Sequence, residues 1–218
     1  MSLRRRGTPA TAFLIAAILA GLGIEIVTGA WTNPVVLAEL GAILRYRILV
    51  EHEYWRLVSA MFLHGDGTIQ GTLLHLLLNL WALFQLGTLY EMMFGTRRFV
   101  WIYFITGIVA SIASMIVTGG PSVGASGAVF GILGAFIFSV RRSPRWRHDR
   151  VARSVAKQCV FWAIANIAVS SQFPQIDNAA HIGGLIAGLI LGYVWPQPAL
   201  PPPSPAQVVI DVMPRDER

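Results

Sequence analysis

Long apolar segments alternate with short polar ones along most of the chain. Six segments are rich in aliphatic residues and poor in charge, near residues 10–30, 72–91, 98–118, 126–140, 155–172 and 179–195. A helix needs roughly 17 to 25 apolar residues to cross about 30 Å of hydrocarbon, because it rises about 1.5 Å per residue. The pattern therefore predicts an all-α membrane protein with six transmembrane helices, of which the fourth and the fifth are short.

The charges between these segments predict the orientation of the protein. Only 13% of the residues are charged, 55% are hydrophobic and the mean hydropathy is +0.59, which excludes a soluble globular domain. If the N-terminus is cytoplasmic, all of the 17 Lys and Arg residues fall inside except Arg45, Arg47 and Arg56. The positive-inside rule then predicts six spans with both termini in the cytoplasm. The basic character reflects topology and contact with anionic lipid, and we expect no nucleic-acid partner.

The domain organisation follows from the same pattern. Residues 1–9 form a basic cytoplasmic N-terminus, residues 10–195 one six-helix domain, and residues 196–218 a proline-rich tail that we expect to be disordered and cytoplasmic. Three arginines before the first apolar segment also resemble a secretory signal peptide, but that segment is longer than a typical signal sequence. We expect a multi-pass protein of a prokaryotic plasma (inner) membrane.

Three of the apolar segments carry polar residues that a membrane helix rarely buries without a partner or a function. His75 and Asn79 lie four residues apart in the second segment and so share one helical face. Ser126 begins the fourth segment, and His181 lies near the start of the sixth. Taken alone, each of these has a structural explanation, such as a hydrogen bond between helices.

The depth of these residues in the membrane connects them. Ser126 and His181 each lie 15 residues before the cytoplasmic end of their segment, and Asn79 lies 16 residues before the end of its own. At about 1.5 Å per residue, all three are about 22 to 24 Å from the cytoplasmic side. They therefore meet at one level, up to about 10 Å below the outer surface of the hydrocarbon core.

Glycines in the fourth and sixth segments predict that Ser126 and His181 come close together. Gly127 follows the serine, and Gly184 and Gly188 follow the histidine at helical spacing. Helices without side chains at their contact can bring their backbones together. A neutral imidazole can then accept the serine proton and return it to a leaving amine, as in acyl transfer.

An oxyanion site is predicted beside the serine. The fourth helix begins near Ser126, so its first backbone N–H groups are free and its positive dipole end favours an anion. Asn79, together with His75, can add side-chain donors to the same charge. These residues predict a serine nucleophile, a histidine base and an oxyanion hole, with no metal or other cofactor.

The ordered set of motifs resembles the rhomboid family of intramembrane serine proteases. The resemblance extends over about residues 10–195 and rests on Trp55 and Arg56 of WR, residues 62–65 (FLHG, with His64), His75 and Asn79 of HxxxN, Glu91, Gly124 to Gly127 of GxSG, and residues 180–188 (AHxxGxxxG).

The resemblance implies a function, a site and a six-helix bundle with a short central fourth helix. The function is serine endopeptidase activity on transmembrane protein substrates, with Ser126 and His181 as a dyad and the active site open toward the outer side. Asn79, His75 and the Ser126 N–H would form the oxyanion hole, and Gly124, Gly127, Phe130, Gly184 and Gly188 would support it. Trp55, Arg56, His64 and Glu91 would have structural roles, residues 31–70 would form a partly membrane-embedded loop, and the fifth span would be a mobile gate for substrate.

Three positions depart from the family pattern. His52 stands where a glycine is common, and Phe130 where a tyrosine that stacks on the histidine is common. His75 follows His64 by eleven positions, a longer spacing than is usual in the family.

Other functions fit the sequence less well. A metalloprotease needs HExxH, but the only similar stretch, HEYWR, has Arg56 in place of the second histidine. An aspartyl protease needs two carboxylates within spans, and a transporter needs a charged path or a broken helix. Asp177, four residues before His181, can be a third member of a triad or a helix cap, and we expect the cap. The main alternative function is a catalytically silent rhomboid-like protein that binds membrane clients.

Overall fold

The computed structural model describes residues 7–118, 120–173 and 176–196. In these ranges the regular elements are helices: α1 (Pro9–Thr28), α2 (Pro34–Leu40), α3 (Arg45–Leu49), α4 (Arg56–Ser59), a 3-10 turn (Ala60–Phe62), α5 (Ile69–Ala82), a π-helical segment (Leu83–Gly87), α6 (Thr88–Phe94), α7 (Thr96–Val117), α8 (Ser126–Arg142), α9 (Arg150–Ser170) and α10 (Asn178–Val194). The all-α prediction is confirmed. Residues 1–6 of the predicted N-terminus and residues 197–218 of the predicted tail lie outside the described ranges.

Among the described residues, three helices are long and apolar enough to cross a membrane, judged by length and composition. They are α1, the continuous helix Ile69–Phe94 that comprises α5, the π-helical segment and α6, and α7. Helix α10 is also apolar but has 17 residues. Helix α8 has 17 residues and ends in Arg141 and Arg142, whereas α9 has 21 residues. The long apolar helices indicate an integral membrane protein.

The helix boundaries follow local sequence signals. Pro9 is at the start of α1, where its missing N–H costs nothing, and Gly29 ends that helix in the left-handed conformation. Gly95, with φ of 91°, separates α6 from α7. Asp149 and Asp177 are the N-caps of α9 and α10, and their carboxylates accept a backbone N–H of the first turn. The cap predicted at Asp177 is therefore confirmed.

Helix α8 lies at the centre of the bundle. It packs against α7, α9 and α10, and most of its residues from Gly127 to Val140 are buried. Its contact with α10 is a seam of glycines: a Cβ at Gly184 would lie 2.0 Å from the Gly127 carbonyl oxygen, and one at Gly188 would lie 2.0 Å from that of Gly131. No side chain fits there, so the two backbones touch over two helical turns.

Two buried carboxylates fix α1 to the rest of the protein. Glu91 accepts hydrogen bonds from the N–H groups of Ala10 and Thr11, so it caps the start of α1. Near the other end of α1, one oxygen of Glu25 accepts the N–H groups of His64 and Gly65 at 2.8 and 2.7 Å. The loop before α5 is thereby attached to α1.

The first loop, which contains α2 to α4, is held by Arg56. This side chain is 1% exposed, and it donates to the carbonyl oxygens of Ala38 and Ala42 and to the carboxylate of Glu53. Its guanidinium also lies 4.8 Å from the ring centroid of Trp55, which is half exposed. A buried cation with several partners helps this loop keep one conformation, in addition to its two small apolar clusters around Leu37 and Ile48.

Candidate active site

Ser126 and His181 form a hydrogen bond between the first turns of two neighbouring helices. The His181 Nε2 atom lies 2.8 Å from the Ser126 Oγ atom. Ser126 is the first residue of α8 and is partly exposed, and His181 is in the first turn of α10 and is 8% exposed. The pair is therefore anchored on rigid helices and keeps some access to substrate.

The glycine seam explains why these two side chains meet. Gly127 follows the serine directly, and Gly184 lies three residues after the histidine. The missing side chain of Gly184 lets α10 approach the carbonyl oxygen of Gly127. This close approach lets a short serine side chain reach an imidazole on the neighbouring helix.

The His181 ring is held by stacking. The ring of Phe130, one turn after Ser126, lies parallel to it with an interplanar angle of 8° and a centroid distance of 4.4 Å. The Nδ1 atom of His181 is buried and has no hydrogen-bond partner among the described residues. The Asp177 carboxylate instead caps α10 through the Ala180 N–H at 3.0 Å. Ser126 and His181 are therefore a hydrogen-bonded pair with an aromatic support.

Gly124 allows His75 to lie close to the serine. A Cβ at Gly124 would lie 2.7 Å from the His75 Nε2 atom and 3.9 Å from the Ser126 Oγ atom. The φ of Gly124 is 124°, which also favours glycine. His75, Ser126 and the start of α8, where the first N–H groups have no helical acceptor, therefore lie close together around Gly124.

Asn79 is buried on the same face of α5 as His75. Its Nδ2 donates to the carbonyl oxygen of His75 at 2.9 Å. A primary amide has two N–H hydrogens, so this bond leaves one donor for another acceptor.

His64 lies next to this group despite its eleven-residue separation from His75. The two rings have centroids 5.1 Å apart, and the His64 Nε2 accepts the N–H of Ala125 at 3.4 Å. Burial, and secondarily the neighbouring His75, lower the pKa of His64 to about 3, so this ring is neutral at physiological pH. His64 thus contacts both the residue before Ser126 and a candidate oxyanion donor.

The remaining predicted residues make their contacts away from the serine. Trp55 and Arg56 stabilise the first loop, and Glu91 caps α1. A carboxylate within an apolar segment is expected at the membrane interface or facing another helix, and Glu25 binds the backbone of the loop before α5 at His64 and Gly65. No group of three or more His, Cys, Asp or Glu side chains suited to a metal ion occurs in the described part of the chain.

Comparison with known proteins gives one consistent family. The sequence profile of the Rhomboid domain matches residues 51–198. The chain is 37% identical to "Rhomboid protease GluP" of Bacillus subtilis over 84% of its length and 34% of that protein. It is 35% identical to "RHOMBOID-like protein 5" of Arabidopsis thaliana over 72% of its length and 49% of that protein. It is 30% identical to "Rhomboid-like protease 2" of Toxoplasma gondii over 84% of its length and 61% of that protein.

The chain thus spans between about a third and three fifths of the length of these relatives. The matched region contains His75, Asn79, Ser126 and His181, and the profile covers more than half of the chain. Together with the apolar helices, this match shows that the protein is an integral membrane protein and that the chain belongs to the rhomboid family.

Proposed function

We propose that this protein is an intramembrane serine endopeptidase that cuts transmembrane proteins. The observation that carries the proposal is the 2.8 Å hydrogen bond between Ser126 Oγ and His181 Nε2, formed between two helices of an apolar bundle. Two relatives bear the name of proteases, GluP and the Toxoplasma gondii protein, which supports the same chemistry.

The reaction begins when Ser126 Oγ attacks the carbonyl carbon of a substrate peptide bond. His181 Nε2 accepts the serine proton, which requires the ring hydrogen on Nδ1. The negative charge that develops on the carbonyl oxygen lies beside Ser126 and His75, where the Ser126 N–H, the free N–H of Asn79 and His75 donate to it.

The imidazolium then returns its proton to the leaving nitrogen. The C–N bond breaks, the amine product leaves and an acyl ester remains on Ser126. A water molecule attacks this ester while His181 accepts its proton. The imidazolium then returns that proton to Ser126 Oγ as the ester C–O bond breaks, so the carboxylic acid product leaves and the serine is regenerated. Stacking on Phe130 at 4.4 Å keeps the imidazole plane fixed through both steps.

The substrates are single-pass membrane proteins, cut near the outer end of their helix. In this proposal the chain crosses the membrane six times with both termini cytoplasmic, and the dyad lies within about 10 Å of the outer surface. Helix α9 packs against α8 and α10 and exposes Phe161, Trp162 and Ile164, as suits a gate that moves in lipid. Helix-breaking residues near the cut favour cleavage because an intact helix hides its carbonyls in hydrogen bonds.

Reconstitution with a single-pass reporter tests the proposal. Wild-type protein in liposomes should cut the reporter near its outer membrane boundary, and mass spectrometry of the products locates the bond. Ser126→Ala and His181→Ala should each produce no cut above background. Reporter binding without cutting by the folded wild-type protein would instead favour a silent client-binding protein, and a cut at the cytoplasmic end would mean that the orientation is inverted.

A further inference from the structure

The carboxylate of Asp177 joins three parts of the chain beside the candidate active site. It accepts the Thr118 hydroxyl at 3.0 Å, the Ser122 hydroxyl at 2.7 Å and the Ser114 hydroxyl. It also accepts the Ala180 N–H in the first turn of α10. A helix cap needs only the last of these bonds, so the other three call for a separate explanation.

These bonds connect the position of His181 to the loop that leads into Ser126. His181 lies one turn after Asp177 and donates its own N–H to the Asp177 carbonyl oxygen at 3.3 Å. Ser122 lies four residues before the serine, in the segment between α7 and α8. Besides the Ser126–His181 bond itself, the carboxylate is thus a second direct polar link between the segments that carry these two residues.

The other side of the same loop is held by the first part of the chain. Ser122 exchanges two backbone hydrogen bonds with Ile43, and the Gly124 N–H donates to the carbonyl oxygen of Ala60 at 2.8 Å. Loop 120–125 is therefore fixed on one side by the loop of α2 to α4 and on the other by Asp177. Removing either attachment leaves the start of α8 with one lateral support.

We infer that Asp177 is a positioning residue of the endopeptidase, which sets the distance between Ser126 and His181 by tying loop 120–125 to the start of α10. The inference rests on the proposed function and deepens it. Asp177 acts through the loop, since it bonds to no atom of the imidazole. Burial raises the pKa of Asp177, but the hydrogen bonds from Ser114, Ser122, Ala180 and Thr118 outweigh it, so its net pKa is lowered and it is an ionised acceptor at neutral pH.

Substitution by serine separates positioning from capping. Asp177→Ser keeps a good N-cap residue for α10 but is too short to reach three hydroxyls on neighbouring segments. Asp149, which caps α9 through the Ala152 N–H at 2.8 Å, gives the matched control Asp149→Ser. A misplacement of about 1 Å at a reacting pair costs about 100-fold in rate. We expect Asp177→Ser to lower kcat by about 10- to 100-fold with KM unchanged, and Asp149→Ser to leave both unchanged.

Three further single variants and one double variant make the result specific. Asp177→Asn should recover much of the lost kcat, because its amide can donate to the same hydroxyls and its oxygen can cap α10. Ser122→Ala removes the hydrogen bond between Asp177 and the loop that leads into Ser126. It should lower kcat more than Thr118→Val, which removes the hydrogen bond between Asp177 and the end of α7. The double variant with Ser122→Ala and Asp177→Ser should have a kcat little lower than that of Asp177→Ser alone, since both substitutions break the same hydrogen bond.

The inference is overturned if Asp177→Ser cuts at the wild-type rate, if the loss lies in KM, or if Asp149→Ser lowers kcat equally. If Asp177→Ser does not fold, the Ser122→Ala variant tests the inference by itself. A wild-type kcat in Ser122→Ala would then overturn the inference. If the wild-type protein cuts no substrate, the result contradicts the proposed endopeptidase function itself and not only the role of Asp177.

Discussion

The seam between α8 and α10 makes a quantitative prediction for Gly184→Ala. The added Cβ would lie 2.0 Å from the Gly127 carbonyl oxygen and 2.9 Å from its carbonyl carbon. Both atoms belong to the backbone and cannot rotate away, so the helices must separate by about 1 Å before the contact becomes tolerable. Because Gly127 adjoins Ser126, this separation lengthens the 2.8 Å bond to His181 to nearly 4 Å, beyond hydrogen-bond reach.

The expected loss of rate is about 100-fold, since a 1 Å misplacement costs about that much. Overpacking should also cost about 1 to 3 kcal/mol of stability, or at least about 2 °C in Tm. The assay is cleavage of the membrane reporter in liposomes, with Tm measured in detergent. Gly23→Ala is the matched control, because a Cβ at that helical glycine of α1 meets no atom within 4 Å. It should cut at the wild-type rate and be equally or more stable.

Two results would refute this reasoning. A Gly184→Ala protein with wild-type kcat would show that the dyad distance does not depend on the seam. Equal losses in Gly184→Ala and Gly23→Ala would show that helix backbone entropy, and not contact between α8 and α10, controls activity.

Three further predictions concern Asn79, His52 and His64. Asn79→Ala should lower kcat about 10- to 1000-fold with little change in KM. One lost oxyanion donor typically lowers kcat about 100- to 1000-fold, and His75 can partly replace Asn79 as a donor. A raised KM with unchanged kcat would contradict the prediction. His52→Gly should raise Tm by about 1 to 3 °C, since His52 has φ of 59°, which glycine adopts without strain; an unchanged or lower Tm contradicts it. The pKa of His64 is lowered to about 3, so the stability that its neutral form provides is complete above pH 6.5 and is lost as the pH falls toward 3. His64→Gln should therefore reduce the fall in Tm between pH 6.5 and 4, and an unchanged slope contradicts this.

Much of the candidate site could be predicted because depth along a helix can be counted. Ser126, His181 and Asn79 are each about 15 residues from one end of an apolar segment, and helical rise converts that count into a height. Glycine spacing then indicates which helices touch, as at Gly184 and Gly127. Stacking of Phe130 on His181 is implied by the resemblance to the rhomboid family and not by this count, and the structure has the two rings parallel.

The contacts made by loops could not be predicted in this way. The three hydroxyl partners of Asp177 come from α7 and from the segment before α8, and the path of that segment depends on φ and ψ angles that periodicity does not encode. His64 reaches Ala125 because Glu25 fixes the backbone at His64 and Gly65. That contact depends on tertiary structure, so the unusually long spacing between His64 and His75 does not decide whether it forms.

Labelling with a fluorophosphonate probe is the most direct test of an activated serine at the start of α8. The account predicts that the wild-type protein in detergent forms one phosphonyl adduct, located on Ser126 by mass spectrometry. It also predicts that Ser126→Ala forms none and that His181→Ala reacts much more slowly, because its serine lacks a base. Equal labelling of wild-type and Ser126→Ala, or an unlabelled wild-type protein that is folded, would contradict the claim that Ser126 and His181 form a catalytic dyad.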